Sequence, residues 1–163
     1  MSILELVPST DPILSEIMPK FDFDKPPINP EQLAVDLAET MIANKGLGLS
    51  ANQVGLRHRA LVITGSPIIA IFNPRIVDVT PEEINMEEGC LSFPDLFFKV
   101  KRPAAIKIRY QRPNGETVTE QYQGLTARII QHEVDHLDGI VYTSRGNRIH
   151  VDAAKKKMRK KLL

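Results

Sequence analysis

The chain has 163 residues, of which 42% are hydrophobic and 25% charged, and its formal net charge at pH 7 is +1. This length and composition predict one globular domain, residues 1–163, and argue against a disordered or fibrous chain. The sequence has no apolar run long enough to span a bilayer and no signal-peptide layout, so we expect a cytoplasmic protein that does not bind membranes. We also expect a monomer that does not bind DNA.

Two helices are predicted in the amino-terminal third. Asp11 as N-cap and Pro12 at the first helical position predict a short helix over Pro12–Met18. Asn29, followed by Pro30 and by Gln32 three residues on, predicts a second helix that ends near Gly46.

The middle of the chain reads as short strands rich in isoleucine and valine, and a hairpin turn is predicted at Pro113–Gly115. A helix over Gly124–Asp138 follows, and it is apolar around most of its circumference. We therefore predict an α+β fold in which mostly antiparallel sheets wrap around one buried central helix carrying metal-binding histidines. The predicted strands are Arg59–Thr64, Ile68–Phe72, Arg75–Val79, Ala105–Tyr110, Glu116–Tyr122 and a last short one at Ile140–Tyr142.

The helix Gly124–Asp138 carries the strongest chemical signal. His132 and His136 are four residues apart, so they lie on one helical face where both can bind one metal ion. Glu133 lies beside them as a candidate base. Leu125 and Ile129 fall within roughly 60° of His132 on the helical wheel, which predicts an apolar wall next to the metal. A catalytic site also needs a third protein ligand and an open position.

Cys90 is the only cysteine and excludes an intramolecular disulfide. It is either a small core residue, a thiolate ligand for zinc or ferrous iron, or a nucleophile with His132 as its base. In the last case Glu133 and His136 would have no role.

Two further stretches could contribute to function. In Gly46–Gly55 the glycines allow close backbone approach, and an extended edge there could pair with a peptide main chain. Taken alone, however, the stretch favours a plain helix C-cap followed by a turn. The short basic carboxy-terminal tail, residues 151–163, has six basic residues and no acid from Lys155 onward. It could contact ribosomal RNA or could be a solvated end of the chain.

Taken in order, three motifs resemble those of the peptide deformylase family, which are G-x-G-x-A-A-x-Q, E-G-C-L-S and Q-H-E-x-D-H. The matching segments are Gly46–Gln53, Glu88–Ser92 and Gln131–His136. The resemblance implies hydrolytic removal of the formyl group from the N-formylmethionine of nascent polypeptides. It implies one divalent metal ion, natively Fe²⁺, with Zn²⁺, Ni²⁺ or Co²⁺ as alternatives, and a water as the fourth ligand.

The resemblance also assigns roles to residues. Cys90, His132 and His136 would bind the metal, Glu133 would transfer the proton, and Gln53 and the Leu91 backbone N–H would stabilise the oxyanion. Together with the apolar helix face, it predicts an apolar pocket that fits the unbranched side chain of methionine. We also expect Asp135 to pair with Arg102 behind the metal ligands rather than to form an ion pair at the surface. The predicted substrate-binding residues are Gly46, Leu47, Gly48, Leu49, Met86, Glu88, Gly89, Leu125 and Ile129.

Two departures from the family pattern stand out. Ser50 replaces the first alanine of the first motif, which predicts altered hydrogen bonding without loss of activity. The chain ends soon after the metal helix, so ribosome contact would depend on the short tail alone. The alternatives are a zinc endopeptidase with His150 as third ligand and a ribosome- or RNA-associated module with a structural metal.

Overall fold

The computed structural model describes residues 3–161, and within this range the fold is α+β with antiparallel sheets, which confirms the predicted fold class. The predicted domain and tail extend to residues 1, 2, 162 and 163, which lie outside the described residues. No helix in the described part of the chain is long and apolar enough to cross a membrane. The helices are α1 (Pro30–Ala43), α2 (Gly124–Leu137) and α3 (Arg148–Lys161), and the strands are β1 (Gly48–Ser50), β2 (Ala60–Ile63), β3 (Ile69–Val79), β4 (Glu83–Cys90), β5 (Phe93–Pro103), β6 (Ala105–Gln111) and β7 (Thr117–Gln123).

The strands form two antiparallel sheets, and α2 contacts strands of both. Among residues 3–161, one sheet has five strands in the order β1-β2-β3-β6-β7, and β4 and β5 form the other. The apolar side of α2 packs on the larger sheet, where Ile130 and Leu137 join Leu61, Ile71 and Ile108 in one core cluster. Most of α2 is buried, including its histidines, so its polar residues need partners inside the protein.

The start of α1 follows its sequence signals. Asn29 Oδ1 accepts a hydrogen bond from the Gln32 backbone N–H at 3.0 Å, and Pro30 occupies the first helical position. Of the helix predicted over Pro12–Met18, only Pro12–Ser15 forms, and it is a 3₁₀ turn.

The strand predictions are wrong in two details, a break in one strand and an extra strand at the end. The predicted strands Ile68–Phe72 and Arg75–Val79 do not form separately, because β3 runs from Ile69 to Val79 and accommodates the Asn73–Pro74 break as an irregularity between Phe72 and Arg75. Asn73 has a positive φ of 51° there, and its side chain bonds the backbone of Phe21. The predicted strand Ile140–Tyr142 does not form, and a 3₁₀ helix occupies Tyr142–Ser144.

The hairpin of β4 and β5 was not predicted from the sequence. On β5 the buried residues alternate along the strand, but the series Leu96, Phe98 and Val100 ends on a buried arginine, Arg102. On β4 the fully buried residue is charged, Glu88. Residues 151–161 of the tail belong to helix α3 and are not a solvated end, because Val151, Ala154 and Met158 pack with the β5 residues.

Candidate metal centre and active site

Three potential metal ligands converge between α2 and β4. Sγ of Cys90 and one ring nitrogen each of His132 and His136 lie within 4.8 Å of one another, and Cys90 Sγ is 3.2 Å from His136 Nε2. One turn of helix separates the histidines, and Cys90 ends β4 just after a register irregularity between Glu88 and Cys90. A thiolate with two imidazoles suits zinc or ferrous iron, so this donor set fits a divalent metal ion.

The ring of His132 is oriented by a buried carboxylate. His132 Nδ1 lies 2.9 Å from Glu88 Oε1, and the Glu88 side chain is 4% exposed. An ionised carboxylate only accepts hydrogen bonds, so Nδ1 carries a proton and Nε2 is the ring nitrogen left to bind a metal. This carboxylate–histidine pair is the usual arrangement behind a histidine that binds a metal.

Behind Glu88 lies a network of buried charges. Arg102 donates to both Glu88 oxygens, at 2.6 and 3.0 Å, and its Nη1 donates to Asp135 Oδ2 at 2.8 Å. Arg128 Nη1 donates to Glu88 Oε2 at 2.8 Å and to the Val100 carbonyl. The structure thus brings Arg102 and Asp135, the pair named in the sequence analysis, into contact and adds Arg128 to them.

The network shifts the pKa of the acidic and basic groups in opposite directions. Burial favours protonation of Glu88, but hydrogen bonds from His132, Arg102 and Arg128 outweigh it and lower the Glu88 pKa to about 2. Burial lowers the pKa of His132, yet Cys90, Glu133 and Glu88 together raise it to about 10. The groups that stabilise a proton on His132 would equally stabilise a metal cation, and the bound metal would displace that proton.

The other two buried groups of α2 respond mainly to burial. Burial raises the pKa of Glu133, and it lowers that of His136 well below the usual value. A neutral His136 is the form that binds a metal, and a carboxylate with a raised pKa is suited to taking and releasing a proton.

Gln53 is held with its amide next to the thiol. The Ser50 backbone N–H donates to Gln53 Oε1 at 2.9 Å, which fixes the amide orientation. Gln53 Nε2 then donates to Ser92 Oγ at 3.0 Å and lies 3.6 Å from Cys90 Sγ. The amide nitrogen therefore faces the cluster.

A cavity of about 560 Å³ opens beside the cluster. Leu47 and Leu125 are each 52% exposed and contribute apolar surface to it. Of the predicted substrate-binding residues, Gly46, Leu47, Gly48, Glu88, Gly89, Leu125 and Ile129 line the cavity, as do Cys90, Leu91, His132 and Glu133.

Two predicted substrate-binding residues do not line this cavity. Leu49 is fully buried in a second core cluster with α1, because it points to the opposite face of β1 from Gly48 and Ser50. Met86 lies on β4 opposite Val100 and does not contribute to the cavity lining.

The sequence interpretation missed several residues near the site. Phe97 lines the cavity and packs against Gly89, where any added Cβ would lie 2.4 Å from the Phe97 ring. Asn52 Nδ2 donates to the backbone carbonyl of His136 at 2.7 Å. The period of two in Leu96, Phe98 and Val100 was a readable signal for the strand that carries Phe97, whereas Asn52 gave none.

Comparisons with known proteins point to one family. Residues 3–152 match the family model described as polypeptide deformylase. The chain is 42% identical to the peptide deformylase of Thermotoga petrophila over 83% of this chain and 82% of that protein, and 36% identical to that of Bartonella tribocorum over 99% and 94%.

Solved structures agree as well. A peptide deformylase from Ehrlichia chaffeensis superposes with a TM-score of 0.87 at 36% identity, covering 99% of this chain and 98% of that one. A peptide deformylase from Synechococcus elongatus, solved in complex with actinonin, gives a TM-score of 0.86 at 31% identity, covering 94% and 85%. The chain therefore belongs to the polypeptide deformylase family, the metal-dependent hydrolases that remove the N-formyl group from the N-formylmethionine of nascent polypeptides.

Proposed function

We propose that Cys90, His132 and His136 bind the catalytic metal and that Glu133 transfers the proton during deformylation. The observation that carries the proposal is the position of Glu133, whose Oε2 lies 3.9 Å from His132 Nε2 at the wall of the apolar cavity. A divalent ion bound there would activate water and polarise the formyl oxygen. Glu133 takes the proton of the attacking water and passes it to the leaving amine.

Gln53 and Leu91 stabilise the oxygen that becomes negative in the transition state. Support comes from the Gln53 amide, which Ser50 and Ser92 hold so that Nε2 faces the cluster. The backbone N–H of Leu91 follows Cys90 directly and is the second donor. Removing one such donor typically costs about 3 kcal/mol of transition-state stabilisation.

The peptide binds as an added strand with its methionine side chain in the apolar cavity. Among residues 3–161, β1 is the edge strand of the larger sheet and pairs only with β2. Its outer edge can therefore accept a peptide main chain through the segment Gly46–Leu49. Leu125 and Ile129 lie next to the ligands on α2 and favour an unbranched apolar side chain.

The test compares Glu133→Gln with Cys90→Ala on formyl-Met-Ala-Ser, its unformylated analogue and a substrate with only an internal bond. We expect Glu133→Gln to keep its metal and to lose about 10²-fold or more of the turnover, because no group takes the proton. Cys90→Ala should lose both metal and turnover. Glu31→Gln, an exposed position at the start of α1, is the matched control. Full turnover by Glu133→Gln would contradict the proposal.

The same assay separates deformylase from zinc endopeptidase, because only the latter cleaves the internal bond. The proposed ligand set already favours deformylase, since Cys90 supplies the third ligand atom and His150, the endopeptidase candidate, is exposed on α3.

We propose Fe²⁺ as the native ion, with Zn²⁺, Ni²⁺ or Co²⁺ as substitutes. Thiolate and imidazole ligands suit all of these ions, so geometry alone does not choose among them. Metal analysis of protein purified without oxygen, followed by reloading with each ion, identifies the ion that gives native turnover. Zinc in the anaerobic protein would contradict the assignment to iron.

We further propose that the protein acts in the cytoplasm as a monomer on nascent chains, with α3 as a contact to the ribosome. Support for this contact is that α3 is anchored through Val151, Ala154 and Met158 and exposes basic residues such as Lys156 and Lys160. Truncation after Asp152, and the gentler Lys156→Glu/Lys160→Glu variant, should reduce co-sedimentation with ribosomes. Unchanged co-sedimentation of both variants would contradict the proposed ribosome contact. The monomeric state is tested separately, by light scattering of the purified protein.

A further inference from the structure

Ser50 replaces an alanine of the family motif and lies directly against Glu133. It is the last residue of β1 and fully buried. Its Oγ is 2.9 Å from Glu133 Oε1. The assigned motif gives this hydroxyl no role.

The alternation of β1 shapes the surroundings of the Glu133 carboxyl group. Gly48 and Ser50 are two residues apart on a strand, so they face the same side, toward α2. A Cβ at Gly48 would lie 2.8 Å from both Cγ and Oε2 of Glu133. The glycine leaves space for the side chain, and the serine two residues on supplies a donor for it.

The two carboxylate oxygens are therefore in different surroundings. Oε1 is next to the Ser50 hydroxyl, whereas Oε2 lies 3.9 Å from His132 Nε2 on the cavity side. A donor on Oε1 fixes the rotation of the carboxylate and keeps Oε2 directed at the reacting atoms.

The hydroxyl has one proton and two acceptors within reach. Ser50 Oγ is also 2.9 Å from the backbone carbonyl oxygen of Glu133. That carbonyl lies inside α2, where helical hydrogen bonding already uses it. An ionised carboxylate is the stronger acceptor, so the proton goes to Oε1 when Glu133 is charged.

We propose that Ser50 is a positioning residue for Glu133, whose hydroxyl holds one carboxylate oxygen so that the other is presented to the substrate water. The inference rests on the proposed role of Glu133. The backbone N–H of Ser50, which orients Gln53, is independent of the side chain, so Ser50→Ala isolates the hydroxyl.

The test combines kinetics with a spectroscopic measurement that needs no metal. In Ser50→Ala we expect kcat to fall by about tenfold with KM within about twofold, because the peptide-binding surfaces are untouched. In metal-free protein with ¹³C-labelled glutamate, the Glu133 carboxyl signal, assigned by its loss in Glu133→Gln, should shift and broaden. Ser50→Thr keeps the hydroxyl and should restore both values.

The control is Thr40→Val, which removes another fully buried hydroxyl, one that bonds the backbone of Asp36 and Leu4 in and beside α1. It should lower stability without changing kcat or the Glu133 signal. If Ser50→Thr does not fold, the carboxyl signal of Ser50→Ala decides.

An unchanged kcat in Ser50→Ala, a loss carried by KM, or an unchanged carboxyl signal would each overturn the proposal and leave Ser50 as a structural bond to α2. Failure of the proposed function would be seen separately, as turnover by Glu133→Gln, and it would not affect the carboxyl comparison in metal-free protein.

Discussion

The two histidines of the metal cluster are held in opposite ways. His132 is backed by Glu88, which in turn is bound by Arg102 and Arg128, so its side of the cluster is a network of buried charges. Among the residues that the structure describes, no carboxylate or arginine forms a hydrogen bond or an ion pair with the ring of His136. Its backbone carbonyl accepts from Asn52, and within residues 3–161 no hydrogen-bond partner is present for its Nδ1 or for Asn52 Oδ1.

The difference indicates a division of labour within one site. The charged side fixes the ring of His132 through a chain of hydrogen bonds and places the Glu88 carboxylate directly against that ring, which favours a positive charge on it. The neutral side holds His136 through helix packing and lowers its pKa by burial, which keeps the ring free of protons. One ligand is oriented electrostatically, and the other is positioned by the fold.

The largest effect on this comparison should come from Glu88→Gln. The variant leaves Arg102 and Arg128 as buried cations without their carboxylate, and loss of one partner from a buried network typically costs about 3–5 kcal/mol. Metal affinity should fall by about 10–100-fold, because the orienting acceptor of His132 changes from a carboxylate to a weaker, neutral amide oxygen. Urea unfolding of the metal-free protein and a competitive zinc titration measure the two effects.

Glu87→Gln is the matched control, because Glu87 is exposed on the same strand beside the buried Glu88. If both variants behaved alike, the charged side would not be responsible for the stability assigned to it.

In the unmodified protein, acid should remove the stabilisation that ionised Glu88 contributes to the charged side. The folded-state pKa of Glu88 is about 2, against an ordinary value of 4.5, so its contribution is present above pH 4.5 and is lost as the pH falls toward 2. A shift of this size corresponds to about 3 kcal/mol. The free energy of unfolding of the metal-free protein, measured from pH 6 to pH 3, should therefore converge with that of Glu88→Gln. Parallel curves would contradict the assignment.

The two histidines and their helix were readable from the sequence, whereas the contacts that join Glu88, Arg102 and Arg128 were not. His132 and His136 follow from their spacing on an apolar helix, and α1 follows from Asn29 and Pro30. Residues that obey the periods of helix and strand are visible in a single sequence.

The contact between the charged residues of the β4–β5 hairpin could not be predicted, for a physical reason. The inward-facing positions of this hairpin include Glu88 and Arg102, which an apolar pattern excludes from a core, and they are stable there only because they meet each other. Their partnership joins residues from different strands and from α2, so no local signal encodes it. Ser50 shows the same limit, because the sequence marks it as a departure and only the fold reveals Glu133 beside it.

Asn52→Ala should disturb the neutral side only slightly. It removes one hydrogen bond to the His136 carbonyl, worth about 1 kcal/mol, but it also removes a buried oxygen without a partner. We expect a loss of about 1 kcal/mol or less in unfolding free energy and less than a tenfold loss of zinc affinity. A loss equal to that of Glu88→Gln would show that both sides orient their histidines by hydrogen bonds.

The smallest effect should come from Arg145→Ala, at the outer end of the charged side. Arg145 donates to both oxygens of Asp135, but its side chain is 46% exposed, whereas Arg102, the inner partner of Asp135, is 5% exposed. Exposed pairs are worth about 0–1 kcal/mol and weaken with salt, so the unfolding free energy should change by less than that amount and zinc affinity should not change. Because Asp135 keeps Arg102, the ring of His132 stays oriented. If Arg145→Ala weakened zinc binding as Glu88→Gln does, the network would have to be treated as one unit from the surface to the metal rather than as a buried centre with an exposed end.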